Sequence, residues 1–151
     1  MPEAMYTLVT GDHVTMSRQV TQEQINAYAL ASGDHNPLHT DPAFAASTPL
    51  GGTVAHGMLV LAWLSALLTD GFGDDWIARG SFRIRFRAPA RPGDALTLSA
   101  TVRTVQEAPA GRRATLDLLV ANQRQETVID GQATVPVTTS RPPSTVNGSR
   151  S

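Results

Sequence analysis

The chain has 151 residues, 41% hydrophobic and 17% charged, with a net charge of -1 and no cysteine. That is one domain's worth of sequence with enough apolar side chains for a core, and its near-neutral balance gives no footprint for nucleic acid or an anionic membrane. Disulfides, thiolate metal sites and a cysteine nucleophile are excluded, and because all 12 basic residues are arginine, so is lysine Schiff-base chemistry.

No basic region followed by an apolar run opens the sequence, so a cytoplasmic protein is expected. Residues 13–20 alternate as a strand. Thr21, with Gln24 three positions on, forms a capping-box signature, and Ile25, Tyr28 and Ala29 share one face of the helix it opens. That helix should end at Ser32 and Gly33. The string Ser32-Gly33-Asp34-His35-Asn36-Pro37-Leu38-His39 then breaks the pattern. Gly33 permits positive φ and Pro37 drives Asn36 towards an extended conformation, so Asp34 and His39 are expected on a rigid loop. Asp41-Pro42 announces a short helical turn docked by Phe44 and Ala45.

Gly51-Gly52 leads into an apolar stretch over 54–68, interrupted by His56, Gly57 and Ser65. It predicts a buried central helix over residues 53–70, short of the roughly 20 apolar residues that span a bilayer. The first amide N–H groups of such a helix are unpaired and lie at the positive end of its dipole, which suits a developing oxyanion. Residues 70–75 read as a Gly-rich acidic turn. Four strands follow, over 81–88, 95–105, 112–122 and 128–137. The first has Phe82, Ile84 and Phe86 on one face and Arg83, Arg85 and Arg87 on the other. The pattern predicts an α+β domain over 1–139, an antiparallel sheet wrapped around the central helix, with a disordered tail over 140–151.

Taken alone, Asp34 reads as a turn cap and His39 as a half-buried, hydrogen-bonded histidine. The segment around Gly57 changes that balance, because a carboxylate, an imidazole and a helix N-terminus are the parts of an acid–base site with an oxyanion donor. Together, SGDHNPLHTDPAFA and GGTVAHGMLV resemble the MaoC-type (R)-specific enoyl-CoA hydratases and dehydratases, called hydratase 2, and the resemblance covers most of the chain. It implies a hot-dog fold and a hydro-lyase that hydrates trans-2-enoyl thioesters to (R)-3-hydroxyacyl thioesters, or runs the reverse dehydration. It also implies no metal, and no cofactor beyond the coenzyme A or phosphopantetheine that forms part of the substrate. By this resemblance Asp34 and His39 hold the catalytic water, Asn36 is the motif asparagine, and the Gly57 amide donates to the thioester carbonyl oxygen. Asp34 is expected as the principal base with His39 orienting the water, the two acting as a coupled pair, and Asn36 as orienting the water or Asp34 through its amide.

Substrate contacts are expected from Tyr28, Ser32, Gly33, Leu50, His56, Met58 and Trp63, with Leu59 and Trp76 as further determinants of chain length. His56 has a second reading, as a cap or a hydrogen-bond partner of a neighbouring loop. Arg83, Arg85 and Arg87 form either a solvated face or a grip on the phosphates of coenzyme A or a carrier protein. Ser65 is expected to bond back to its own helix. No Asp or Glu lies between Asp41 and Asp70, which disfavours a hot-dog thioesterase. Two alternatives stay open: a dehydratase acting on acyl-carrier-protein-bound intermediates in fatty-acid or polyketide biosynthesis, and a non-catalytic hot-dog subunit that binds acyl groups or serves a structural role. A homodimer with each site near the subunit interface is expected, with no nucleic-acid or membrane partner.

Overall fold

The computed structural model describes residues 7–138, so the tail expected over 140–151 lies outside the described residues. β1 (His13–Gln19) leads into α1 (Gln22–Ser32). The capping box forms in full: Thr21 Oγ1 accepts the Gln24 N–H at 3.1 Å, and Gln24 Oε1 accepts the Thr21 N–H at 3.0 Å. Ile25 and Ala29 are buried and Tyr28 is half-buried beside them. The helix ends on Gly33 at φ 78°, a left-handed cap whose N–H bonds the Ala29 carbonyl.

Where the sequence predicted only a rigid loop, α2 (Pro37–Thr40) makes one helical turn, because Asn36 caps it and Pro37 sits at a first position that needs no N–H. Asp41 ends that turn and caps α3 (Pro42–Ala46). Ala45 is fully buried, but Phe44 is 45% exposed, so the expected docking of this turn falls to Ala45 alone.

The central helix, α4 (Gly57–Phe72), begins at Gly57 and not near Thr53. Residues 53–56 are apolar enough for helix, but their backbone is engaged elsewhere. The Val54 N–H bonds the Leu38 carbonyl at 3.2 Å and the Ala55 N–H bonds the Ala90 carbonyl at 2.7 Å, which stretches this segment into a strap between α2 and the loop around Ala90. At the other end, part of the supposed acidic turn is helical: Gly73, at φ 57°, separates α4 from α5 (Asp74–Arg79). What holds α5 is Trp76, 6% exposed, with its ring 4.6 Å from Phe82 and its Nε1 donating to Ser65 Oγ at 3.0 Å. Ser65 therefore serves as an acceptor for Trp76, not for the back-bond expected of it.

β2 (Ser81–Phe86), β3 (Ala95–Ala108), β4 (Gly111–Ala121) and β5 (Thr127–Val137) join β1 in one antiparallel sheet of order β1-β3-β4-β5-β2. Strand alternation places Leu96, Leu98, Ala100 and Val102 of β3 with Ala114, Leu116, Leu118 and Val120 of β4 on the inner face. Their register pairs Leu98 with Val120 and Ala100 with Leu118. This face packs in one core with Leu64, Leu67 and Leu68 of α4, all fully buried. At about 1.5–3 kcal/mol for each buried leucine, packing holds α4 and fixes where its N-terminus points. Phe82 and Ile84 join that core, and Phe86, at the end of β2, turns its ring to the same side against Gly57 of α4 but is 52% exposed there. Among the described residues no helix is long and apolar enough to cross a membrane.

Asp75 ties α5 to the end of β5. It accepts from Thr138 Oγ1 at 2.6 Å, from the Thr138 N–H at 2.9 Å and from Arg79 at 3.0 Å. Burial pushes its carboxyl up, but the Thr138 and Arg79 bonds outweigh that and hold it below the ordinary carboxylate value. A depressed folded-state value means that the charged form stabilises the fold above the unfolded value of about 3.9, and that this contribution is lost as pH falls through the folded one. Asp75→Asn should therefore cost about 1–3 kcal/mol near neutral pH by urea unfolding. The gap from the parent should close as the pH is lowered below about 4; a gap independent of pH would show that the charge is irrelevant.

Candidate active site

The site forms where the end of α1, the one-turn α2 and the strap before α4 meet. Asp34 lies just past the Gly33 cap. Its backbone N–H bonds Ser32 Oγ at 3.2 Å, and its Oδ1 accepts the Asn36 N–H at 3.2 Å, so the carboxylate is steered by its own turn. Asn36 contributes differently from the expectation. Its side chain caps α2 by accepting the Leu38 N–H at 3.0 Å, and its backbone, not its side-chain amide, is what touches Asp34.

His39 comes back onto Asp34 because α2 turns the chain. Its Nδ1 bonds the Val54 carbonyl at 2.7 Å, and a carbonyl only accepts, so Nδ1 carries a proton, and in the neutral ring Nε2 is the nitrogen with the lone pair. That Nε2 is 3.9 Å from Asp34 Oδ2. One water with ordinary hydrogen bonds of about 2.8 Å reaches both atoms. His39 is 15% exposed at its side chain and Asp34 is 53% exposed, so the pair has one wall in the protein and one side open.

Two supports of His39 went unseen in the sequence. Gln22 Nε2 donates to the His39 carbonyl at 2.7 Å, while Gln22 Oε1 accepts from Thr53 Oγ1 at 2.7 Å, tying α1 to both α2 and the strap. The available signal was a polar residue three positions before Ile25, on the buried face of α1. The Val54 carbonyl, as a backbone group, left no signal at all.

Immediately after the strap, Gly57 is the first residue of α4. The Gly57 and Met58 N–H groups have no backbone acceptor among the described residues, and they lie at the positive end of a 16-residue helix. A Cβ on Gly57 would stand 2.9 Å from the Phe86 ring, so glycine lets another group approach this amide closely. Beside it opens a cavity of about 300 Å³, lined by Gly57, Val60, Phe86, Arg87 and residues 88–90 among others.

His56 is 2% exposed and touches both halves of the site. Its Nε2 bonds the Asp34 carbonyl at 3.0 Å, and its ring stacks on His39 with centroids 3.8 Å apart. Donor atoms of Asp34, His39 and His56 lie within 4.8 Å of one another, a convergence that a divalent cation would also need. Since His39 Nδ1 and His56 Nε2 are committed to carbonyls, such an ion would be left with the remaining nitrogens and the carboxylate.

The other expected substrate contacts divide. Tyr28 packs against His56 at 4.8 Å, Ser32 and Gly33 shape the Asp34 turn, and Met58, 58% exposed, flanks Gly57. Leu50 is half-buried beyond α3, and Trp63 packs part-buried against the core. Leu59 and Trp76 are buried core residues, so Trp76 is spent on holding α5. Arg87 reaches the cavity beside Gly57 and pairs with Asp130 at 2.9 Å. Arg83 and Arg85, opposite in direction to Phe82 and Ile84, line a second groove of about 530 Å³ with Asp117, Asp130 and Gln132, and Arg87 borders that groove too.

Comparison with known proteins fits this geometry. Residues 13–124 match the family described as MaoC-like domain. Over 122 residues the chain is 32% identical to a 3-hydroxybutyryl-CoA dehydratase of Methylorubrum extorquens, covering 81% of this chain and 76% of that protein. It is 32% identical over 133 residues to an (R)-specific enoyl-CoA hydratase of Aeromonas caviae, covering 85% and 95% respectively. A solved (R)-hydratase from A. caviae superposes with a TM-score of 0.74 at 29% sequence identity, over 87% of this chain and 98% of that one.

Proposed function

The chain belongs to the MaoC-like domain family, with its hot-dog fold, and from that membership we propose that it adds water to trans-2-enoyl thioesters to give (R)-3-hydroxyacyl thioesters, or runs the reverse dehydration. The observation that carries this reading is the 3.9 Å approach of His39 Nε2 to Asp34 Oδ2 beside the free Gly57 amide. In the neutral His39 ring, with its proton on Nδ1, both facing atoms are acceptors. A water that donates one hydrogen to each turns a lone pair outward, towards C3 of the enoyl group. As the C3–O bond forms, the water O–H bond breaks, the C2=C3 π electrons move towards the thioester, and the carbonyl oxygen takes negative charge opposite the Gly57 N–H. Return of the proton to C2 completes the hydration. Asp34 is the principal base in this scheme, with His39 orienting the water and sharing the proton.

The substrate brings its own coenzyme A or phosphopantetheine, and no further cofactor or metal enters the proposal. Arg87 is placed to meet a phosphate or pantetheine group entering the Gly57 cavity, with Arg83 and Arg85 as more distant cationic contacts. A homodimer is part of the same proposal: among the described residues β2 pairs only with β5, and the exposed Phe86 and Met58 border the site next to that edge, where a second copy would cover them. The reading also carries a cytoplasmic location, where acyl thioesters supply the substrate.

The test is loss of conjugated-thioester absorbance with crotonyl-CoA and with a medium-chain enoyl-CoA, on a sample whose mass is read by light scattering. Turnover by a species of twice the chain mass is the expected result. A folded protein silent on both substrates but active on the same acyl groups bound to carrier protein would move the assignment to the carrier-bound dehydratase. Silence on all of them would refute the enzyme reading.

A further inference from the structure

Among the described residues, His56 is a buried ionisable side chain at the site itself that the acid–base scheme leaves unused. Its Nε2 is 3.0 Å from the Asp34 carbonyl, its ring lies 3.8 Å from that of His39 at 27° to it, and Tyr28 packs tilted against it. Its Nδ1 is buried without a partner. A carbonyl cannot donate, so the His56 proton sits on Nε2 and Nδ1 is bare. His39 is the opposite tautomer, with Nδ1 donating to Val54. An aromatic hydrocarbon would fill the same space without the cost of an unpaired buried nitrogen. What the imidazole adds is the Nε2–H bond to the catalytic turn.

We propose that His56 is the positioning residue that couples the two halves of the site, setting the Asp34–His39 pair relative to the Gly57 oxyanion donor. Its backbone immediately precedes Gly57, the first residue of α4, while its side chain grips the Asp34 backbone and backs the His39 ring. A rotation or shift of His56 therefore moves water and oxyanion donor relative to each other, the one distance that addition to C3 cannot tolerate losing. This inference rests on the enoyl-thioester reading for its kinetic consequence and on the hydrogen bonds alone for its structural one.

Both parts are open to test. In 15N-histidine-labelled wild-type protein, the His56 signals should be those of a ring protonated at Nε2 and bare at Nδ1, and those of His39 the reverse. His56→Phe keeps an aromatic face and removes the donor; His56→Gln keeps a side-chain N–H donor and removes the ring. With crotonyl-CoA, His56→Phe should lower kcat about 10- to 100-fold, the scale of a roughly 1 Å misplacement, with KM little changed. Restoration of much of that loss in His56→Gln would support the donor role. A His56 protonated at Nδ1, or a folded His56→Phe variant with the parental kcat, would overturn the proposal. Should His56→Phe fail to fold, the wild-type tautomers and the His56→Gln kinetics decide. A wild type that hydrates no enoyl thioester refutes the functional reading instead, and the tautomers then decide this inference by themselves.

Discussion

Asp34→Asn is expected to lower kcat for crotonyl-CoA hydration by about 10²- to 10⁴-fold, the span that a positioned acid–base group contributes. The substitution is nearly isosteric, and the local turn gives it little reason to move. An asparagine Oδ1 can still accept the Asn36 N–H that now meets Asp34 Oδ1, and the backbone bond to Ser32 Oγ does not involve the side chain. What disappears is a carboxylate able to take a proton from the water proposed between it and His39 Nε2, 3.9 Å away. Because Asp34 is 53% exposed and makes no buried ion pair, unfolding in urea should be almost unchanged. A variant that retains parental kcat would remove Asp34 from the chemistry. A variant equally inactive but with a collapsed unfolding transition would mean that the residue holds the loop and not the water.

Gly57→Pro is expected to cost about 10²- to 10³-fold in kcat, the usual consequence of removing one oxyanion-hole donor. Proline lacks the N–H but suits the first position of a helix, and His56 before it already has φ -57° and ψ 130°, the extended conformation that proline imposes on its predecessor. The helix should therefore survive. The added ring atoms crowd the Phe86 ring, which a Cβ would approach to 2.9 Å, so Gly57→Ala is the necessary control. Alanine brings the same Cβ while keeping the N–H. Phe86 is 52% exposed at the end of its strand and has solvent to move into, so the alanine variant should lose far less activity than the proline variant. Equal losses would assign the effect to crowding of the substrate path, and the oxyanion role of this amide would fall.

Local signals in the sequence predicted local structure well where the chain supplies its own partners. Thr21 and Gln24 satisfy each other's backbone, Gly33 has a cap that only a residue free at positive φ fills easily, and Asp41-Pro42 opens α3 without help from elsewhere. The alternation of β3 and β4 also translated directly, since their inward side chains all enter one core. Patterning failed where distant groups decide. The apolar run before Gly57 reads as helix, yet the Leu38 and Ala90 carbonyls claim its backbone and pull it straight. α5 was hidden under an acidic, Gly-rich composition because its stability comes from Trp76 on Phe82 and Ser65, residues outside the segment.

The same division runs through the site. Asp34, His39 and Gly57 were legible as residue types at a recognisable spacing, and the fold brings them to one place. The groups that hold them there were not: Gln22 works through a long-range clamp on His39 and Thr53, and the Val54 carbonyl fixes a tautomer without any side chain. For the arginines, strand alternation correctly separated them from the core face of β2. It gave no means of telling that Arg87, just past the strand, reaches the Gly57 cavity as well as the groove that it lines with Arg83 and Arg85.

The most direct measurement is the configuration of the product. Crotonyl-CoA is incubated with the wild-type protein, and the 3-hydroxybutyryl thioester is released and resolved on a chiral phase. A water held between Asp34 and His39 and added under a carbonyl fixed at Gly57 predicts a single enantiomer, (R) as in the (R)-specific relatives, reduced at least about 100-fold in the Asp34→Asn reaction at equal protein and time. An (S) or racemic product, or (R) product formed equally by both proteins, would contradict the assignment.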